Sequence, residues 1–127
     1  MRRIAKVVLP LMAAGILLIG CTNPTIADKV ERITITASTT SLFIAADGTS
    51  NHATIEASVE PATATDPSVT WTAVTVPAAG VAQIVPSSPP GSAIAVVTPS
   101  GTGTAVITAT SNDGTNVVSN SITITVP

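Results

Sequence analysis

The stretch His52-Ala53-Thr54-Ile55-Glu56-Ala57-Ser58-Val59-Glu60 alternates without a break: Ala53, Ile55, Ala57 and Val59 fall on one side, and His52, Thr54, Glu56, Ser58 and Glu60 on the other. Successive side chains of a β-strand point to opposite faces, so a period of two marks a strand with one face buried and one in water. Pro61 follows at once, and it has no N–H to give to a ladder, which stops the strand there.

The same period recurs on both sides. Upstream, Ile33, Ile35 and Ala37 oppose Arg32, Thr34 and Thr36; Ser38 to Thr40 interrupt the pattern, and Leu42 and Ile44 are expected to resume it before the turn signal Asp47-Gly48. Downstream, Pro67-Ser68 leads into Val69, Trp71 and Ala73, alternating with Thr70, Thr72 and Val74. Trp71 is the largest apolar side chain of this region and is expected at the centre of a core that includes Ile55, Val59 and Ile107. Pro77 to Gly80 reads as a turn, Val81 to Val85 as a short strand and Pro86 to Gly91 as a loop, whereas the apolar run Ala93 to Val97 has no period to decide its facing. Ala105, Ile107 and Ala109 then alternate with Thr104, Val106, Thr108 and Thr110; Asn112-Asp113-Gly114 turns the chain, and Ile122, Ile124 and Val126 form a last strand. Seven or eight short strands at about ten-residue spacing, with no helical period, predict an all-β antiparallel sandwich, with a β-barrel as the alternative.

The first twenty residues have a different grammar. Arg2, Arg3 and Lys6 form a basic start, Val7 to Ile19 an apolar run interrupted by Pro10, and the small Gly20 precedes Cys21, which is the layout of an export signal. The run falls short of the about 20 apolar residues that span a bilayer, although an uncleaved transmembrane anchor is the alternative reading. Leu18-Ile19-Gly20-Cys21 resembles the lipobox of bacterial lipoproteins. That resemblance implies a diacylglyceryl group on the Cys21 sulfur, cleavage before it and acylation of the new amino terminus. One acyl chain holds a protein only marginally and two or more hold it stably, so the chemistry would anchor the chain to a membrane. Cys21 is the one cysteine, so no disulfide can form within the chain. Thr22 after the cysteine resembles lipoproteins sent to the outer membrane in a host with two membranes. The expected organisation is a leader over 1–20, a lipidated cysteine and short linker over 21–29, and one domain over 30–127.

Removal of the leader takes away three of five basic residues. Lys29 and Arg32 then stand against Asp28, Glu31, Asp47, Glu56, Glu60, Asp66 and Asp113, and two minus seven gives a net charge of −5. Such a surface repels nucleic acid and anionic headgroups, and no nucleic-acid partner is expected.

The residues that carry chemistry are sparse. His52 is the single histidine and falls on the solvent face of its strand, without the nucleophile and orienting acid that catalysis needs, so no enzyme activity, cofactor or small-molecule substrate is expected. A zinc site lacks ligands. Calcium is the one metal to weigh, through Asp47, Asp66 and Asp113, but these lack Asp-x-Asp spacing and read as solvated turn acids. Sugar stacking has only Phe43 to offer once Trp71 is assigned to the core. Thr34, Thr36, Thr70, Thr72, Thr104, Thr108, Thr123 and Thr125 fit β-structure by stiffness and polarity, and a weakly charged strand edge among them is the alternative source of partners, through strand addition.

Ile33-Thr34-Ile35, Ala57-Ser58-Val59-Glu60-Pro61, Val69-Thr70-Trp71, Val81-Ala82-Gln83-Ile84 and Gly103-Thr104-Ala105-Val106-Ile107-Thr108-Ala109-Thr110 together resemble the bacterial group 2 immunoglobulin-like domain of intimin-type and invasin-type adhesins. The resemblance runs from about Val30 to Val126. It implies an immunoglobulin-like sandwich, a role in surface structure, adhesion or protein binding, and no catalytic residues. Families of this kind often repeat the domain in tandem, whereas one copy is present here, and the segment from Pro77 to Gly91 is richer in proline than the pattern. Two roles are therefore expected: a noncatalytic envelope lipoprotein with an unknown protein partner, or a subunit of an extracellular filament or oligomer that self-associates through strand edges.

Overall fold

The computed structural model describes residues 26–78 and 80–127. Seven strands follow in order: β1 (Arg32–Ala37), β2 (Ala53–Glu60), β3 (Val69–Val76), β4 (Ala82–Pro86), β5 (Ile94–Pro99), β6 (Gly103–Ser111) and β7 (Ile122–Val126). They form two antiparallel sheets, one ordered β1-β2-β5-β4 and the other β3-β6-β7. This is the strand order of the constant-type immunoglobulin sandwich.

Period two places the core. In β2, Ala53, Ile55 and Ala57 are buried while Thr54, Glu56 and Ser58 are exposed, and in β6 Ala105, Ile107 and Ala109 meet them from the other sheet. Ile33 and Ile35 of β1, Ala95 and Val97 of β5, and Ile124 and Val126 of β7 complete an aliphatic interior. The run Ala93–Val97, whose facing period did not decide, turns Ala95 and Val97 inward and Ile94 outward.

Two expectations need correction. Trp71 is not the centre of the core: it is half-buried on β3, which has a neighbour on one side only, and its Nε1–H donates to the Ser92 carbonyl at 3.0 Å. An indole buried completely would strand that donor, so the ring sits at the rim where a partner exists. Ile55 and Ile107 occupy the centre, and Val59 packs half-buried against the same cluster. The second correction concerns Leu42 and Ile44, which do not resume β1 as one alternating strand. At Ser38 to Thr40 the chain leaves the first sheet, and its next residues pair with the second: Thr125 N–H donates to Thr40, Leu42 N–H donates to Thr125, and Ser41 bridges Thr125 in parallel. Leu42 is buried by this crossing, whereas Phe43 and Ile44 ride out on the turn that follows and are 50% and 43% exposed.

Gly103 opens β6 at φ +137°, and a Cβ there would lie 2.4 Å from the Val76 carbonyl oxygen. The β3–β6 pairing therefore closes only over a residue without a side chain.

Candidate functional site

Three connections meet at the pole where the described chain enters the sandwich: 61–68 between β2 and β3, 87–93 between β4 and β5, and 112–121 between β6 and β7. They are tied to one another and to the incoming chain. Thr65 N–H donates to the Asp28 carbonyl at 2.9 Å, Val69 N–H to Gly91 at 3.0 Å and Asn112 N–H to Ser68 at 3.1 Å. Asp113 is the central fastener: Val30 N–H donates to its Oδ2 at 2.7 Å, and Lys29 Nζ donates to its carbonyl at 2.8 Å. Residues 28–30, which follow Cys21 closely, thus leave the body at a fixed point.

The three aspartates weighed for calcium share one local device. Asp47, Asp66 and Asp113 each accept at Oδ1 from the backbone N–H two residues on, at Thr49, Ser68 and Thr115, in the Asx-turn pattern. Their carboxyls are held below the usual range: Asp47 by the Thr49 hydroxyl and amide, Asp66 by the Ser68 hydroxyl and amide, and Asp113 most strongly, by the Thr115 hydroxyl and then the Val30 amide. At Asp66 the Asp113 charge works against ionisation and Lys29 favours it, both weaker than the Ser68 bonds, while Asp47 sits in the connection at the opposite pole. No group of three His, Cys, Asp or Glu side chains forms among the described residues. His52 is exposed in the residue before β2.

Beside this pole, a shallow groove of about 440 Å³ is walled by Val59, Ala62, Pro67, Pro89, Pro90 and Ala93, with no titratable side chain. Its lining is mostly apolar, with the Ser68 and Ser92 side chains as its hydroxyls and no acid or base beside them.

Strand edges are the other feature able to recognise a partner, because an unpaired edge presents a row of donors and acceptors. The edge of β1 is capped by a side chain: Ile35 N–H donates to Asn120 Oδ1 at 2.8 Å and Asn120 Nδ2 donates back to the Ile35 carbonyl at 3.1 Å. The edge of β7 is met by Thr40 to Leu42. β4 has five residues and ends on Pro86. β3 differs from all of these. Val69 N–H points to Gly91 and Ala109 N–H points to Ser119 Oγ, so the odd-numbered amides of β3 face away from β6. Among the described residues no backbone group answers the N–H groups of Trp71, Ala73 and Thr75.

The outer faces differ in the same direction. The β1-β2-β5-β4 sheet shows Arg32, Glu56 and Glu60 to water, with Arg32 paired to Glu60 across the strands. No residue of β3, β6 or β7 carries a charge, and Val74 and Val76 on the outer face are 63% and 64% exposed.

Leu18, Ile19, Gly20 and Cys21 lie outside the described residues. Sequence reasoning missed Asn120, Asn112 and the buried Ser111, whose hydroxyl accepts from Val117 N–H. Asn112 carried a turn signal, but its bonds to Thr70 and Ser68 cross 42 and 44 residues and have no local signature. No protein-family model matches the chain, and a search of curated proteins returned no match.

Proposed function

We propose that the protein is a noncatalytic lipoprotein of a bacterial envelope, in which acylated Cys21 tethers one immunoglobulin-like sandwich that serves as a structural, adhesion or protein-binding module. The observation that carries this reading is the pinned entry of the chain: a basic, apolar, small-residue leader ends at Cys21, and by Asp28 to Val30 the backbone is already fastened to the body through Thr65 and Asp113. At about 3.3 Å per residue, so short a linker keeps the domain within a few tens of ångströms of any lipid held by Cys21. The pole with the apolar groove then faces the lipid, and the pole with Phe43 and Ile44 faces away. In a host with two membranes, Thr22 favours the outer one.

Assignment to the bacterial group 2 immunoglobulin-like domains is part of the proposal, supported by the strand order and by the place of the glycine in its Gly-Thr-Ala block, Gly103, at the β3–β6 closure. Growing cells that express the full chain on a labelled fatty acid tests the anchor. The wild-type chain takes up label and loses its leader, and Cys21→Ser does neither; equal labelling of the two would refute the reading.

A further inference from the structure

We propose that two copies of this chain pair antiparallel along the open edge of β3, joining their β3-β6-β7 sheets into one continuous sheet about a two-fold axis. This deepens the reading above by naming a partner, and it rests on edge geometry whether or not Cys21 is acylated. The other three edges are capped by Asn120, met by Thr40 to Leu42, or shortened and closed with Pro86. From Trp71 to Val76, β3 has no charge, proline, bulge or side-chain cap among the described residues, and an edge of that kind is a template for another strand.

The edge also fits itself. The free amides belong to Trp71, Ala73 and Thr75, so an antiparallel copy hydrogen-bonds when Trp71 lies opposite the partner's Thr75, Ala73 opposite its own counterpart, and Thr75 opposite the partner's Trp71. In that register the outer face sets Thr72 against the partner's Val74, a β-branched pair of the type that favours strand association. Charge points to a second copy rather than a foreign acidic or basic strand. The chain from Thr22 carries −5, which makes copies repel, yet none of that charge lies on β3, β6 or β7, so this sheet is where two copies meet without ionic conflict.

Six residues of edge extend only about 20 Å, less than the about 800 Å² per partner of a standard interface requires. The dissociation constant is therefore expected on the order of 0.1 to 1 mM. The two-fold axis inverts strand direction, so the tether-bearing poles point apart. If Cys21 is acylated, pairing joins copies on apposed membranes rather than neighbours on one.

Sedimentation equilibrium of the chain from Thr22 to Pro127, which holds every core residue from Val30 to Val126, tests the pairing. Apparent mass is expected to rise from monomer toward dimer between about 10 µM and 1 mM, with no loss on adding salt. Val74→Lys puts a charge on the outer face opposite the partner's Thr72 and is expected to weaken association about tenfold or more. Ala73→Pro removes an N–H that the β6 ladder does not use and is expected to abolish association with the fold kept, as the Trp71 near-ultraviolet signal reports. A monomer at every concentration, a dimer that both variants leave unchanged, or one that salt dissolves would overturn the proposal. Acyl labelling that succeeds where pairing fails, or the reverse, separates this proposal from the anchor reading.

Discussion

The sandwich has one finished sheet and one unfinished sheet. On β1-β2-β5-β4, charge sits on the outer face, Asn120 closes one edge and a short strand ending in proline forms the other. On β3-β6-β7 the outer face is threonine and valine, and along β3 the N–H groups of Trp71, Ala73 and Thr75 have no backbone partner among the described residues. Hydrophobic burial treats the two alike, since Ile55 and Ile107 are equally enclosed at the centre. The sheets differ in what protects them from other chains, which is a matter of solubility and partners rather than of stability.

The largest expected effects test the part the sheets share. Ile55→Ala and Ile107→Ala should each cost about 2 to 5 kcal/mol in chemical denaturation, a large share of the about 5 to 15 kcal/mol of a typical domain. A loss from one that is several-fold the loss from the other would show that one sheet carries the core. Trp71→Ala should cost less than a fully buried tryptophan, about 2 to 3 kcal/mol, because the side chain is only half-buried and β3 has one neighbour. A loss near 5 kcal/mol would mean that the open side of β3 closes in solution.

Asn120→Ala should cost about 1 to 2 kcal/mol by leaving the Ile35 amide and carbonyl without partners, and it should make the finished sheet prone to association as well. Unchanged behaviour would dissolve the distinction between the edges. The smallest effect concerns the poles. Asp47, Asp66 and Asp113 have folded-state pKa values below their unfolded ones, so the stability they contribute is present above about pH 4 and is lost as pH falls further. The thermal midpoint should therefore drop below about pH 4, and Asp113→Asn should flatten that drop more than Asp47→Asn, since Asp113 alone fastens Val30. Equal flattening would remove the special place of the pole where Asp113 fastens Val30.

The strands were legible because half-burial writes itself as alternation: β1, β2, β6 and β7 follow their apolar residues, and Pro61 marks the end of β2 within one residue. The turn aspartates were legible too, since an Asx turn depends on neighbours in sequence. Contacts between distant residues were not. Whether the chain crosses sheets at Ser38 to Thr40 depends on Thr125, and whether β1 is capped depends on Asn120, 85 residues from Ile35. Trp71 was misplaced for the same reason: size ranks it for the core, but its depth depends on β3 being an edge strand, and strand order is not written in local period. In the candidate site, the Asx turn of Asp113 is local and readable, while its fastening of Val30 spans 83 residues and is not.

Amide hydrogen exchange resolved residue by residue, in dilute and concentrated protein, tests the contrast between the sheets most directly. The expected result is an Ile35 amide slowed at every concentration by Asn120, with an Ala73 amide that exchanges freely when dilute and slows when concentrated. An Ala73 amide slow at every dilution would show that its edge is already covered within one chain, and the contrast would fall.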